Sequence, residues 1–189
     1  VQPVELHRDF ASGRSYPENT WLISNGWFMH RPYKGEVDFP YPDNINAIMV
    51  SFHIQDPDVL TPKTVAELKK IGPIGCRDWT TVYRLRDFGV PAFFSGCVTT
   101  TVGQVLPKAK LAGKIPRLAV VEAKVPFLKY LLWWKKSFIQ IGDHVREFSL
   151  VEGIEDARTM LAEYAGYGHV ITKRLHCYLP ARSVRLPVT

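Results

Sequence analysis

The sequence predicts an α/β protein with parallel sheets, arranged as two series of elements joined by a linker. Three observations lead there. Between residues 47 and 96, short apolar runs alternate with amphipathic segments in the order strand, helix, strand, helix, strand, the alternation that parallel sheets with right-handed crossovers produce. A second series of the same kind begins at residue 117. Between them "GQVLPKAKLAGKIP", residues 103 to 116, carries Gly, Pro and Lys with little periodicity and reads as a linker. The expected domains therefore span residues 1 to 104 and 117 to 189.

Each element follows from its own residues. Residues 1 to 20 are polar and turn-rich. "WLISN" (21 to 25) and "AIMVSFHI" (47 to 54) are apolar, partly β-branched runs bounded by turn residues, as buried strands are. "RPYKGEVDFPYPDN" between them is punctuated by three prolines, a glycine and Asp-Asn, so it is a loop. In "TPKTVAELKKIG" Thr61 can cap a helix, Pro62 suits its first position, Val65, Leu68 and Lys69 share a face, and Gly72 stops it. The strand "PIGC" leads to a second helix in "RDWTTVYRLRDFG". Asp78 is its cap, Val82, Leu85 and Phe88 form its apolar side, and Gly89 follows its end. "VPAFFSG" returns as a strand. Beyond the linker, "RLAVVEA", "SFIQIG" and "HVIT" read as strands, and Ile154, Ala157, Met160, Leu161 and Tyr164 fall at helical spacing in "GIEDARTMLAEYAGYG". "RLHCYLPARSVRL" starts as a helix that Pro180 should kink or shorten.

Composition bounds the function. With 189 residues, 46% hydrophobic and 22% charged, the chain is globular in balance and large enough to bury a core. No stretch reaches the 18 or so uncharged apolar residues of a membrane span, and "VQPVELHRDF" lacks the order of a signal peptide. A start at valine suggests a piece of a longer protein. The excess of Lys and Arg over Asp and Glu, 24 to 18, points to an anionic ligand, polymer or membrane surface, or simply to surface lysines that keep the chain soluble. Cys76, Cys97 and Cys177 are odd in number and show no C-x-x-C spacing, which fits a reducing compartment better than a disulfide framework or a zinc site. "FLKYLLWWKK" combines Trp and Lys as interfacial stripes do, although such a run also serves as core with a solvated basic end.

Charged residues gather at two strand-to-helix junctions, "GCRD" (75 to 78) and "TKRLH" (172 to 176). Ligands of open parallel sheets collect outside the carboxyl ends of the strands, where helix N-termini favour anions. Arg77 brings a planar fork suited to phosphate or carboxylate, Lys173 and Arg174 add charge, and His176 could exchange a proton beside a bound anion. The bland alternative is a half-buried, satisfied His176 and a structural salt bridge at Arg77. Asn25, Gly26 and His30 follow a strand in "NGWFMH", His53 lies within one, and Ser95 and Gly96 of "SGC" form either a ligand floor or a tight turn.

Taken together, "LISNGWFMH", "IMVSFHI", "IGCRDWTTVYRLRDFGVPAFFSGCVTTT" and "YAGYGHVITKRLHCYLP" resemble the polysaccharide pyruvyl transferase family over most of residues 21 to 189, in the family's order. The resemblance implies a GT-B-like fold, two Rossmann-type domains facing a cleft, and transfer of a pyruvyl group from phosphoenolpyruvate to a sugar hydroxyl pair as a ketal. It implies a catalytic His at His176, in the R-L-H turn, and an essential Arg at Arg77, in the G-x-R-D turn. The sequence departs from the family at Lys173, where Ser is common, and at Thr100, which interrupts an apolar alternation. The family's N-terminal glycine-rich "G-D" segment and its last strands and helix are missing, so both domains are expected to be partial.

The expectation is a cytoplasmic transferase of polysaccharide biosynthesis that needs no cofactor and no metal. Its partners are phosphoenolpyruvate and an oligo- or polysaccharide acceptor, not nucleic acid, with peripheral attachment to the inner face of the membrane if the Trp-Lys stripe is used. Asn25, Gly26, His30, His53, Ser95, Gly96, Lys173 and Arg174 are its candidate binding residues. The rivals are a glycosyltransferase of the same architecture using a nucleotide sugar, and a non-catalytic glycan-binding or assembly module.

Overall fold

Apolar runs too short to bury themselves become strands that pair side by side, and the capped segments between them become the crossover helices. A computed structural model describes residues 4, 6, 15–25, 27–28, 41–105, 118–123, 138–141, 150–164 and 166–189. The fold is mixed α/β with parallel strand pairing throughout the described sheets. It divides into two compact units, Val1–Val98 and Thr99–Thr189. Most of the expected linker, most of the loop over residues 31 to 44, and the Trp-Lys stripe lie outside the described residues. Among the described residues, no helix is long and apolar enough to cross a membrane.

In the first unit β1 (Thr20–Ser24) pairs with β3 (Ile45–Met49), β2 (Trp27–Phe28) with β4 (His53–Ile54), and β5 (Ile74–Cys76) with β6 (Ala92–Phe94). The pairs are stitched together at Phe52, whose amide donates to the Gly75 carbonyl at 2.9 Å and whose carbonyl accepts from the Arg77 amide at 3.1 Å. The run expected as one strand over residues 47 to 54 is thus two, β3 and β4. Ser51 breaks it by adopting a left-handed backbone, φ 57°. The short β2 has no counterpart in the sequence pattern.

Helix α1 (Pro62–Ile71) begins at Thr61, whose hydroxyl accepts from the Thr64 amide at 3.2 Å. Leu68 is fully buried and Val65 packs against the same core, but Lys69 is exposed and Thr64 takes the buried place expected of it. Helix α2 (Trp79–Asp87) is capped by Asp78, and Gly89 takes the left-handed turn after it, φ 70°. Val82 and Leu85 are buried as expected. Phe88 is not: it forms the C-cap, outside the helical face, and is 46% exposed, while Thr81 fills the core position. Both helices feed one core with Ile45, Met49, Phe52, Ile54, Ile74 and Ala92. The strands are not buried on both sides, since Trp21 and Ile23 are 69% and 71% exposed.

In the second unit β7 (Leu118–Val121) lies between β8 (Phe138–Ile141) and β9 (His169–Thr172). Val188 adds a parallel bridge to Val170 on the far side of β9. Helix α3 (Leu150–Tyr164) starts three residues before the expected Gly153. Of its apolar positions Leu161 packs on the core, whereas Ile154 is 50% exposed. Helix α4 (Leu175–Ser183) continues three residues past Pro180, which is buried. A 3-10 helix, Val98–Gln104, and another, Pro57–Val59, arise from residues with no helical periodicity.

Gly75 marks the tightest approach in the first sheet. A Cβ there would stand 3.0 Å from the Met49 carbonyl oxygen and 3.0 Å from Ser95 Cβ. Gly75→Ala is therefore expected to destabilise the first unit by about 1–3 kcal/mol, as overpacking of a full core does. Urea titration should show a lower midpoint at constant slope, and an unchanged midpoint would contradict the close packing.

Candidate functional site

The carboxyl ends of parallel strands release the chain into loops where side chains and helix N-termini converge, so chemistry collects there. In the first unit that edge is held by hydrogen bonds through Ser51. Its amide donates to Ser95 Oγ at 3.0 Å, its own Oγ donates to the Gly96 carbonyl at 2.9 Å, and it accepts from the Val98 amide at 2.7 Å. Ser95 Oγ also reaches the Cys76 carbonyl at 3.2 Å. The "SGC" stretch is accordingly a tight turn bonded to the sheet, with Gly96 in the left-handed region at φ 71°. The Ser95 hydroxyl is engaged by backbone groups of this turn.

Arg77 is the first residue after β5, half-buried. Burial lowers its affinity for a proton, while Cys97 and Asp78 act in the opposite direction; a guanidinium stays charged at neutral pH in either case. The neighbouring Cys76 thiol is pushed up to about 12, chiefly by burial, which makes it a packing residue and not a nucleophile.

Asp78 joins more groups than any other carboxylate described in this unit. Its Oδ1 accepts from the Thr81 amide at 2.8 Å, which caps α2. Its Oδ2 accepts from Thr81 Oγ1 at 2.9 Å and lies 2.5 Å from His53 Nδ1. Thr81 Oγ1 in turn accepts from the Ile54 amide at 3.3 Å, which ties the helix to β4. Burial, the largest single influence, raises the Asp78 carboxyl, but the His53 bond and the two Thr81 bonds outweigh it and hold the group below the ordinary carboxylate value. His53, placed within a strand by its sequence, opens β4 and is bonded to the carboxylate that follows the carboxyl end of β5.

In the second unit the strand order reverses at β7, which has β8 on one side and β9 on the other, and such a reversal opens a crevice between the strand ends. Glu122 follows β7 there with a left-handed backbone, φ 50°, and its carboxylate accepts from Arg174 Nε. Arg174 is the N-cap of α4 but contributes no side-chain cap; its amide donates to Thr172 Oγ1 at 3.0 Å. His176 sits in the first turn of α4, as expected; it is exposed, and so is Lys173. Pro180 supplies no N–H to the carbonyl four residues back, that of His176.

Thus the structure gathers His53, Arg77, Ser95 and Gly96 at one strand edge of the first unit, and Lys173, Arg174 and His176 at one junction of the second. Asn25 is exposed directly after β1. Gly26 and His30 lie outside the described residues. Sequence reasoning did not single out Ser51, Thr81 or Glu122, and it treated Asp78 as a cap alone. Glu122 had a signal: like Arg77, it directly follows a strand. Trp79 and Phe94 were also missed; they stack at 5.1 Å between centroids, 7° apart, with Tyr83 on Trp79 at 5.9 Å. Among the described residues, no three His, Cys, Asp or Glu side chains gather as a metal site.

Because its folded value is depressed, Asp78 contributes stability that is present above the unfolded carboxylate value near 4 and is lost as pH falls through the folded one. Asp78→Asn keeps a cap while removing the charge. The stability gap between wild type and Asp78→Asn, followed by urea titration, is expected to shrink as pH drops from about 5 toward 2; a constant gap would show that the charge does not matter to folding. Comparison with family models, with curated proteins and with solved structures finds no match to this chain.

Proposed function

We propose that the protein transfers a pyruvyl group from phosphoenolpyruvate to a pair of sugar hydroxyls as a ketal, within a GT-B-like pair of Rossmann-type domains in the cytoplasm. The observation that carries this reading is the placement of the two turns on which the family resemblance rests. G-C-R-D follows the carboxyl end of β5 and opens α2; R-L-H follows the carboxyl end of β9 and opens α4. Both are the positions where anions are held against helix N-termini. The exposed rings of Trp79, Tyr83 and Phe94 beside Asp78 and Ser95 suit the apolar face of a sugar ring.

In this reading Arg77 takes up an anionic group of the donor, and Lys173 and Arg174 are the anion-binding residues of the R-L-H turn. His176 is the general acid. The enol methylene gains a proton and becomes a methyl group, two acceptor oxygens form bonds to the former enol carbon, and the carbon–oxygen bond to phosphate breaks with its electron pair leaving on phosphate. Two hydroxyl protons are released: one replaces the proton that the acid gave up, and the other leaves with phosphate.

In the intact protein, His176→Gln is expected to preserve donor binding and cut turnover by about a hundredfold or more. Arg77→Ala should weaken donor binding about tenfold or more, because it removes a charge-assisted contact made before and during the reaction. The readouts are phosphate release from phosphoenolpyruvate with a glycan acceptor, and donor titration by calorimetry. Full pyruvylation by His176→Gln overturns the assignment. Consumption of a nucleotide sugar in place of phosphoenolpyruvate makes the protein a glycosyltransferase.

A further inference from the structure

With one hydroxyl proton returning to His176, one chemical requirement is left unmet: the other acceptor hydroxyl must lose its proton as its oxygen bonds to the donor carbon. His53 has the geometry for that task. Asp78 can only accept, so the 2.5 Å contact to His53 Nδ1 requires the proton to lie on Nδ1. Thr81 Oγ1, 3.4 Å from the same nitrogen, spends its own proton on Asp78 Oδ2 and does not compete. The tautomer of the neutral ring is therefore set, with its lone pair on Nε2. Nδ1 takes both contacts, which leaves Nε2 without a hydrogen-bond partner among the described residues. The ring keeps 21% of its surface exposed and Asp78 32%, so the pair is held by the core yet reached from solvent.

We propose that His53 is the general base of the transfer and that Asp78 is its positioning residue. The inference rests on the proposed reading for the identity of the donor, although any transfer to a hydroxyl needs such a base. As the acceptor oxygen bonds to the donor carbon, its O–H bond breaks and the proton passes to Nε2; the Asp78 carboxylate stabilises the imidazolium that results. The proton leaves with the departing phosphate. This arrangement explains why α2 is capped by an aspartate when asparagine, serine or threonine would cap as well: only a carboxylate serves the amide of Thr81 and fixes the imidazole as well.

The test uses the intact protein with His53→Gln and Asp78→Asn. Asparagine retains the cap but presents an amide whose N–H cannot accept from Nδ1, so the imidazole loses its tautomer while the helix keeps its start. Both variants are expected to lose about a hundredfold or more in kcat with phosphoenolpyruvate and a glycan acceptor, with donor Kd within about twofold of wild type. In proton NMR, wild type should show a downfield Nδ1 proton on His53 that Asp78→Asn abolishes. A kcat for Asp78→Asn within about threefold of wild type, or loss of donor binding in step with kcat, overturns the proposal. If wild type consumes a nucleotide sugar and not phosphoenolpyruvate, the donor assignment fails while the dyad stands, provided the same variants lose that turnover. Wild type that turns over neither donor overturns both.

Discussion

The carboxylate of Asp78 is the contact on which the first unit depends. It satisfies the Thr81 amide at the start of α2, holds the Thr81 hydroxyl, and orients His53. Through Thr81 it also reaches the Ile54 amide, so the helix, its cap and the neighbouring strand are one hydrogen-bonded assembly. Arg84 closes the other side of that assembly by donating to the carbonyls of Ile54 and Gln55 at 2.9 and 2.7 Å. Thr81 is fully buried in the middle of it, which a threonine tolerates only because its hydroxyl is both donor and acceptor here. The carboxylate that fixes the start of α2 therefore also fixes the orientation of His53.

Backbone strain falls at the same edges. Of the four non-glycine residues in the left-handed region among the described residues, Ser51 and Glu122 stand just beyond the carboxyl ends of β3 and β7. Such conformations cost roughly 1–3 kcal/mol and persist where surrounding bonds over-determine them. Ser51 has those bonds in Ser95, Gly96 and Val98. Glu122 has the guanidinium of Arg174, which draws the end of β7 to the start of α4. That ion pair also means that the R-L-H turn does not present Arg174 as a bare cation: part of its charge is already matched by Glu122, while the exposed Lys173 adds a second positive charge beside it.

The apolar runs and helix caps were legible because both are local signals. Thr61 and Asp78 each accept from the amide three residues on, and Gly89 takes the left-handed turn that a side chain would resist. Misreadings came where a distant partner decided. Phe88 looked like the next member of the Val82 and Leu85 face, yet the helix ends at Asp87 and the ring turns to solvent. Thr81 and Thr64 fall outside the faces that the apolar spacing marks out and are buried. The strand over residues 47 to 54 read as continuous, because nothing in "MVSFH" shows that Ser51 will be pulled out of line by a turn more than forty residues later.

For the site, local residue order settles which side chains follow the strands: Arg77 after β5 and the Lys173, Arg174 and His176 turn after β9, since strand ends and helix starts are written in neighbouring residues. What those side chains touch is fixed by the folded chain alone. The pairing of His53 with Asp78, 25 positions apart, and of Arg174 with Glu122, 52 apart, depends on which strands lie side by side: the entry to β4 is bridged to the end of β5 at Phe52 and Cys76, and β7 is paired with β9. Local periodicity encodes an element and the direction its side chains take, but the register between parallel strands is set by crossovers of a dozen or more residues, and no spacing within a single segment specifies which strand end will lie next to which.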